Sequence, residues 1–176
     1  MKQNIIALCV LLSFCFLSFY VSAKERPMKI SSPAFAENSK IPKRYTCDGE
    51  NGSPPLTIAD VPEGATSLAL IADDPDAPAG TWVHWVVWNI DAGTREIKAG
   101  VPPAGAVQGV NSFAKNGYGG PCPPSGSHRY FFKLYALDTA LNLDSRATKA
   151  DLEKAMKGHV IAEARIMGRY REEGGK

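Results

Sequence analysis

The residues that could do chemistry fall in four short segments. Asp74-Pro75-Asp76-Ala77-Pro78 is a stiff acidic turn. Pro75 and Pro78 fix their own φ and push Asp74 and Ala77 toward extended geometry. Its plainer reading is a turn whose Asp side chains cap backbone N–H groups. Trp82-Val83-His84-Trp85 puts an imidazole among tryptophans. Such a histidine is either a satisfied core residue or a ligand, and in both cases its ring needs a partner. Asp74 or Asp76 would supply a carboxylate. Gly117-Tyr118-Gly119-Gly120-Pro121-Cys122-Pro123-Pro124 leaves backbone N–H groups accessible. Backbone of this kind can form an anion-binding concavity, although a surface turn reads the same way. Gly126-Ser127-His128-Arg129-Tyr130 alternates at the mouth of a strand. His128 and Tyr130 share one face and can share a pocket, while Arg129 points away into a structural role.

These segments need a scaffold, and the hydrophobic pattern predicts a β one. Met28-Lys29-Ile30 reads as a short first strand. Pro and Gly turn signals then crowd residues 32–66. Ser67–Ala72 is a compact apolar strand that ends at the acidic turn. Val83–Ile90 is apolar on both faces, with Trp82, His84, Val86, Trp88 and Ile90 alternating against Val83, Trp85, Val87 and Asn89. That pattern predicts a central strand buried on both sides. Residues 91–128 show little periodicity, and loops of that length inside a small domain are often functional. Arg129–Leu137 and Val160–Tyr170 read as two further strands. Thr148–Lys157 is the one convincing helix, capped by Thr148 with Asp151 in its first turn. The long connections suggest non-local pairing rather than simple hairpins.

A length of 176 residues allows one ordinary domain. A formal charge of +2, without a basic stripe or tail, argues against a nucleic-acid partner. The N-terminus reads as a secretory signal over residues 1–23. Lys2 precedes an uncharged run from Ile5 to Val21, and Val21-Ser22-Ala23 offers small residues for cleavage. The rival reading is an uncleaved membrane anchor. Export would place the domain, residues 24–176, in the periplasm or outside the cell. Cleavage would leave two cysteines, Cys47 and Cys122, which in an oxidising compartment most simply form one disulfide. Two free buried thiols are the alternative.

Taken in order, the four segments resemble the phosphatidylethanolamine-binding protein family. The resemblance rests on Asp74-Pro75-Asp76-Ala77-Pro78, His84 ahead of Val86-Val87-Trp88-Asn89, Pro123-Pro124-Ser125-Gly126, and Gly126-Ser127-His128-Arg129-Tyr130. The short chain is most similar to the bacterial YbhB/YbcL type, also called Raf kinase inhibitor-like. The resemblance implies a mainly β fold with a few short helices. A large central antiparallel sheet is flanked by a smaller one, with long loops at the pocket end. It implies a pocket for phosphate, phosphorylated head groups or carboxylates. Asp74, His84, His128 and Tyr130 would line it, with Trp82 on its wall and the Gly120 to Cys122 backbone beside the anion. Cys122 stands where many relatives have Gly, so a bridge to Cys47 would brace the pocket loop. Little chain follows Tyr170 to supply the C-terminal helix of eukaryotic members, which implies a more open pocket.

The resemblance implies binding rather than catalysis, with no metal and no cofactor. Some relatives inhibit kinases or proteases by contact, so a protein partner is a second expectation. Bacterial relatives often pair, which leaves a homodimer open. A hydrolase is the alternative that Ser125, Ser127 and two histidines invite. Ser127 and His128 are adjacent on an extended chain, however, and their side chains diverge. A Zn²⁺ enzyme using Asp74 or Asp76 with His84 and His128 is the other alternative, without helical or CxxC spacing to support it.

Overall fold

The structure is a computed structural model, and it describes residues 26–171. The predicted signal segment lies outside the described residues. Eight strands, one α-helix and a 3-10 turn at Lys43–Tyr45 follow in chain order. The strands are β1 (Lys29–Ser31), β2 (Leu56–Ala59), β3 (Ser67–Asp74), β4 (Trp82–Asp91), β5 (Glu96–Ile97), β6 (Val107–Gln108), β7 (Ser127–Leu137) and β8 (Val160–Arg171). Helix α1 spans Lys149–Met156.

Two antiparallel sheets result. The large one runs β6-β4-β3-β7-β8 and the small one β1-β2-β5. The fold is therefore the mainly β, two-sheet architecture expected from the sequence. Two details differ. The Val83–Ile90 strand is buried on both sides but is not the central one: β3 takes the middle, and only the two-residue β6 lies beyond β4. Also β3 and β4 are sequential antiparallel neighbours, so one simple hairpin exists beside the non-local β3–β7 pairing.

Burial on both faces follows from one core on each side of the large sheet. Leu68, Leu70, Ala72, Tyr130, Phe132 and Leu134 pack against Ile30, Leu56, Ile58 and Ile97 of the small sheet. On the opposite face Ala69, Ile71, Val86 and Trp88 pack against Leu152 and Met156 of α1. The helix is closed by a capping box, in which the Thr148 hydroxyl accepts from Asp151 N and the Asp151 carboxylate accepts from Thr148 N.

Strict alternation along β4 fails twice, and both breaks matter. Ala72 pairs with Trp85 and Asp73 with Val83, so His84 is an extra residue in a β-bulge. The bulge turns His84 and Trp85 toward the same side, where His84 meets Tyr130 and Trp85 joins the core under the small sheet. A second irregularity falls between the Leu68 and Leu70 pairings, next to Asn89 at φ 54°. It returns Ile90 to the core that Trp85 and Val87 share, whereas Val86 and Trp88 face the helix. The predicted single face for Trp82, His84, Val86, Trp88 and Ile90 is corrected accordingly.

Candidate functional site

The strand ends at one edge of the large sheet converge on a cavity of about 400 Å³. Asp74, Trp82, His84, Cys122, His128 and Tyr130 line it. Six of the seven residues singled out in the sequence therefore meet in one place. The seventh, Gly120, sits behind the wall. Its N–H donates to Asn51 Oδ1 at 2.7 Å and is not presented to the cavity.

β7 delivers His128 and Tyr130 to the same face, two residues apart. Their rings are nearly parallel, with centroids 6.5 Å apart. β3 delivers Asp74 as its last residue, and Asp74 Oδ2 accepts from His128 Nδ1 at 2.8 Å. Both side chains are buried. Asp74 Oδ1 accepts from Asp76 N at 2.8 Å, so the acidic turn does cap its own backbone. Asp76 in turn grips Arg129 through two side-chain hydrogen bonds of 2.9 and 2.6 Å. Arg129 thus has the structural role that its outward position predicts.

His84 finds a different partner from the carboxylate expected from the sequence. Its Nδ1 lies 2.6 Å from the Gly119 carbonyl, and Gly119 N donates back to His84 O at 2.9 Å. The bulge in β4 swings the ring toward the glycine loop instead of toward Asp74 or Asp76. Burial lowers the His84 pKa below its usual value, against smaller upward pulls from the Gly119 carbonyl, Asp74, Asp73 and the Gly120 backbone. The Tyr130 ring stands edge-on to His84, with centroids 5.3 Å apart. The Tyr130 hydroxyl is buried and has no partner at ordinary hydrogen-bond geometry, with the Asp74 carboxylate and the Cys122 backbone N–H close enough to act on it. Burial and then the nearby Asp74 charge push its pKa up, so it stays protonated.

The rest of the wall is apolar. Ala77, Pro78, Ala79, Phe113 and Pro124 complete it. Phe113 was invisible in the sequence, because it lies in a segment without periodicity. Its ring stands edge-on to Trp82 at 5.4 Å and to His84 at 5.6 Å. Asn111 is buried and holds that loop, accepting from Phe113 N and Lys115 N and donating to Gly117 O. The glycine loop is held from the other side by residues 45–51. Tyr118 Oη donates to Tyr45 O, and Cys47 N donates to Pro121 O. The sulfurs of Cys47 and Cys122 lie 2.13 Å apart, which is bonding distance. Among the described residues no group of three or more His, Cys, Asp or Glu is placed to hold a metal ion.

A two-sheet β fold with an Asp–His pair, a second histidine and a buried tyrosine at one sheet end defines a class. The family model for phosphatidylethanolamine-binding protein matches residues 31–171, and the chain belongs to that family. A UPF0098 protein of Methanothermobacter thermautotrophicus is 54% identical over 149 residues, covering 82% of this chain and 99% of that protein. A UPF0098 protein of Aquifex aeolicus is 47% identical over 153 residues, covering 83% of this chain and 90% of its own length. Among solved structures, a putative phosphatidylethanolamine-binding protein homologue from Chlamydia trachomatis superposes with a TM-score of 0.81 at 43% identity, covering 84% of this chain and 99% of that one. E. coli YbcL superposes at 0.79 and 34% identity, covering 84% and 100%. These neighbours agree with a bacterial YbhB/YbcL type.

Proposed function

We propose that this chain is an exported binding protein that takes a small anion, phosphate-like or carboxylate, into the cavity at the sheet end without acting on it chemically. The observation that carries this reading is the convergence on one cavity of His84, His128 and the Tyr130 hydroxyl, which is buried and has no partner at ordinary hydrogen-bond geometry. An anionic oxygen is the acceptor such a group lacks. The family description names a phosphorylated lipid head group, which offers that kind of oxygen.

The cavity wall favours binding over hydrolysis. Among the described residues no serine or threonine lines it, and Cys122, which does, has its sulfur at bonding distance from Cys47. Without a hydroxyl of serine or threonine beside His84 or His128, the serine-type acyl transfer that the sequence invited lacks its nucleophile. The uncharged run from Ile5 to Val21 supports export, and a Cys47–Cys122 disulfide suits an oxidising compartment. A regulatory contact with another protein fits the same exported setting, where cytosolic kinases are out of reach.

The test is a titration of the His and Tyr ring resonances with phosphate and then phosphoethanolamine. Saturable shifts at His84, His128 and Tyr130, weakened in Tyr130→Phe, are expected. Flat curves up to ~10 mM ligand, where even millimolar affinity would show, would remove the reading.

A further inference from the structure

The lining of the cavity divides by burial, and the division follows chemistry. Asp74, His84, His128 and Tyr130 are buried and form its floor. Ala77, Pro78, Ala79, Trp82, Phe113 and Pro124 are half-buried or exposed and make an apolar rim. Phe113 stands out among them, a large apolar ring left 38% exposed. The fold nevertheless fixes it. Its N–H donates to Oδ1 of the buried Asn111 at 2.9 Å, and its ring stands edge-on to Trp82 at 5.4 Å. A Cβ on Gly119 would fall 2.5 Å from that ring, so glycine at 119 makes the room the ring occupies. A fixed, water-facing aromatic ring above a floor of hydrogen-bonding groups matches a ligand of two parts.

We propose that the ligand is a small anion with an apolar group close to its charge, an aryl or alkyl phosphoester or carboxylate, and that Phe113 is the residue that selects it. The anionic head sits on the floor while the apolar group lies against Phe113, Trp82 and Pro124. This rests on the anion-binding reading above and adds the second half of the ligand. Monoesters, diesters and carboxylates all carry the oxygen that the floor accepts, so the head does not decide among them. The rim does the selecting. Inorganic phosphate fills little of a cavity of about 400 Å³, a volume in the range of sites for larger organic ligands. An apolar group at the rim removes Phe113 surface from water, which a bare anion cannot do. An anion with a polar substituent still binds through the floor and forgoes that gain.

Two matched pairs test this on the full chain by NMR titration, methyl phosphate against phenyl phosphate and acetate against benzoate. At pH ~8, above the second ionisation that phosphoryl groups show near pH ~6, both phosphates carry the same charge. In each pair the aromatic member is expected to bind about tenfold more tightly, the effect of burying one ring face against the rim. All four should shift the His128 and Tyr130 rings, and the phenyl protons should show nuclear Overhauser contacts to Phe113 and Trp82. In Phe113→Ala the tenfold ratio should fall to about twofold or less, and Phe113→Leu should keep most of it. Vesicles containing phosphatidylethanolamine separate the two sources of such a ligand. Co-sedimentation that phenyl phosphate abolishes makes it a lipid, and protein left in the supernatant makes it a free molecule; either source satisfies the inference. Equal affinities within both pairs, or a ratio that survives in Phe113→Ala, would overturn it while leaving anion binding intact. Failure of all four probes to bind would remove the anion-binding reading and the inference with it.

Discussion

His128 Nδ1 and Asp74 Oδ2 meet at 2.8 Å, joining the start of β7 to the end of β3 across 54 residues of chain. The pair is buried, so Asp74→Ala leaves a ring N–H without its acceptor in a dry place. The cost should be about 1–3 kcal/mol, the penalty for one buried unpaired polar group. Urea unfolding will measure it. Loss of the orienting bond should also broaden the His128 ring resonance and reduce its response to phosphate, whereas Asp74→Glu should restore neither, because the longer side chain displaces the acceptor.

Asp76 and Arg129 form the outer brace of the same turn. The Arg129 hydrogen bond holds the Asp76 pKa at about 2, below the usual 3.8. A carboxylate depressed in the folded state contributes stability that is complete above its unfolded pKa and is lost as pH falls through the folded value. Asp76→Asn should therefore be less stable than the native chain at neutral pH, with the gap closing between about pH 4 and pH 2. The effect is modest, since the Arg129 side chain is 43% exposed and water screens the pair. Thermal melts of both proteins across that range decide it, and a gap that stays constant with pH would contradict the assignment.

Gly120 tests whether the glycine loop is a clasp. A Cβ there would lie 2.8 Å from both Thr46 Cα and Tyr45 O, and 2.5 Å from Asn51 Oδ1. Two of those contacts are backbone and cannot swing aside. Gly120→Ala should push residues 45–51 away from the cavity loop, destabilising the fold by roughly 1–3 kcal/mol as overpacking does. It should also weaken phosphate binding, even though Gly120 does not line the cavity. Gly126→Ala provides the contrast. Its Cβ would meet nothing, so any cost there comes from its positive φ of 70° and not from a clash.

Strand existence was legible because β3, β4, β7 and β8 are long apolar or alternating runs with clear ends. The Asp74, His84, His128 and Tyr130 constellation was legible because its residues sit at those ends in recognisable order. What was not legible depends on single-residue geometry. The bulge at His84 and the positive φ at Asn89 change which face a side chain takes, and no period-2 pattern announces them. The partner of His84 is a backbone carbonyl, a group every residue carries, so no side-chain type points to it. β2 is four residues long and lies immediately after Pro54-Pro55, where turn signals mask it. Phe113 and Asn51 act from irregular loops, placed by hydrogen bonds to Asn111 and Gly120 rather than by any repeat.

Cys47 and Cys122 give the last test, because the loops they join are held in other ways as well. A bond between them spans 75 residues of chain, and by the chain-entropy estimate would contribute roughly 4 kcal/mol through the unfolded state. Cys47→Ser with Cys122→Ser should therefore lower the melting temperature by roughly 10 °C for a domain of this size. The cavity should nevertheless keep its shape, since Cys47 N–Pro121 O, Gly120 N–Asn51 Oδ1 and Tyr118 Oη–Tyr45 O still hold the two loops together. Phosphate affinity in the double variant should then stay within about twofold of native at a temperature where both are folded. Mass spectrometry of the unreduced native protein should find the Cys47 and Cys122 peptides linked. A melting temperature that does not move, or an affinity that collapses while the fold persists, would mean that the hydrogen bonds and not the sulfurs carry the stability, or that the sulfurs alone hold the loop.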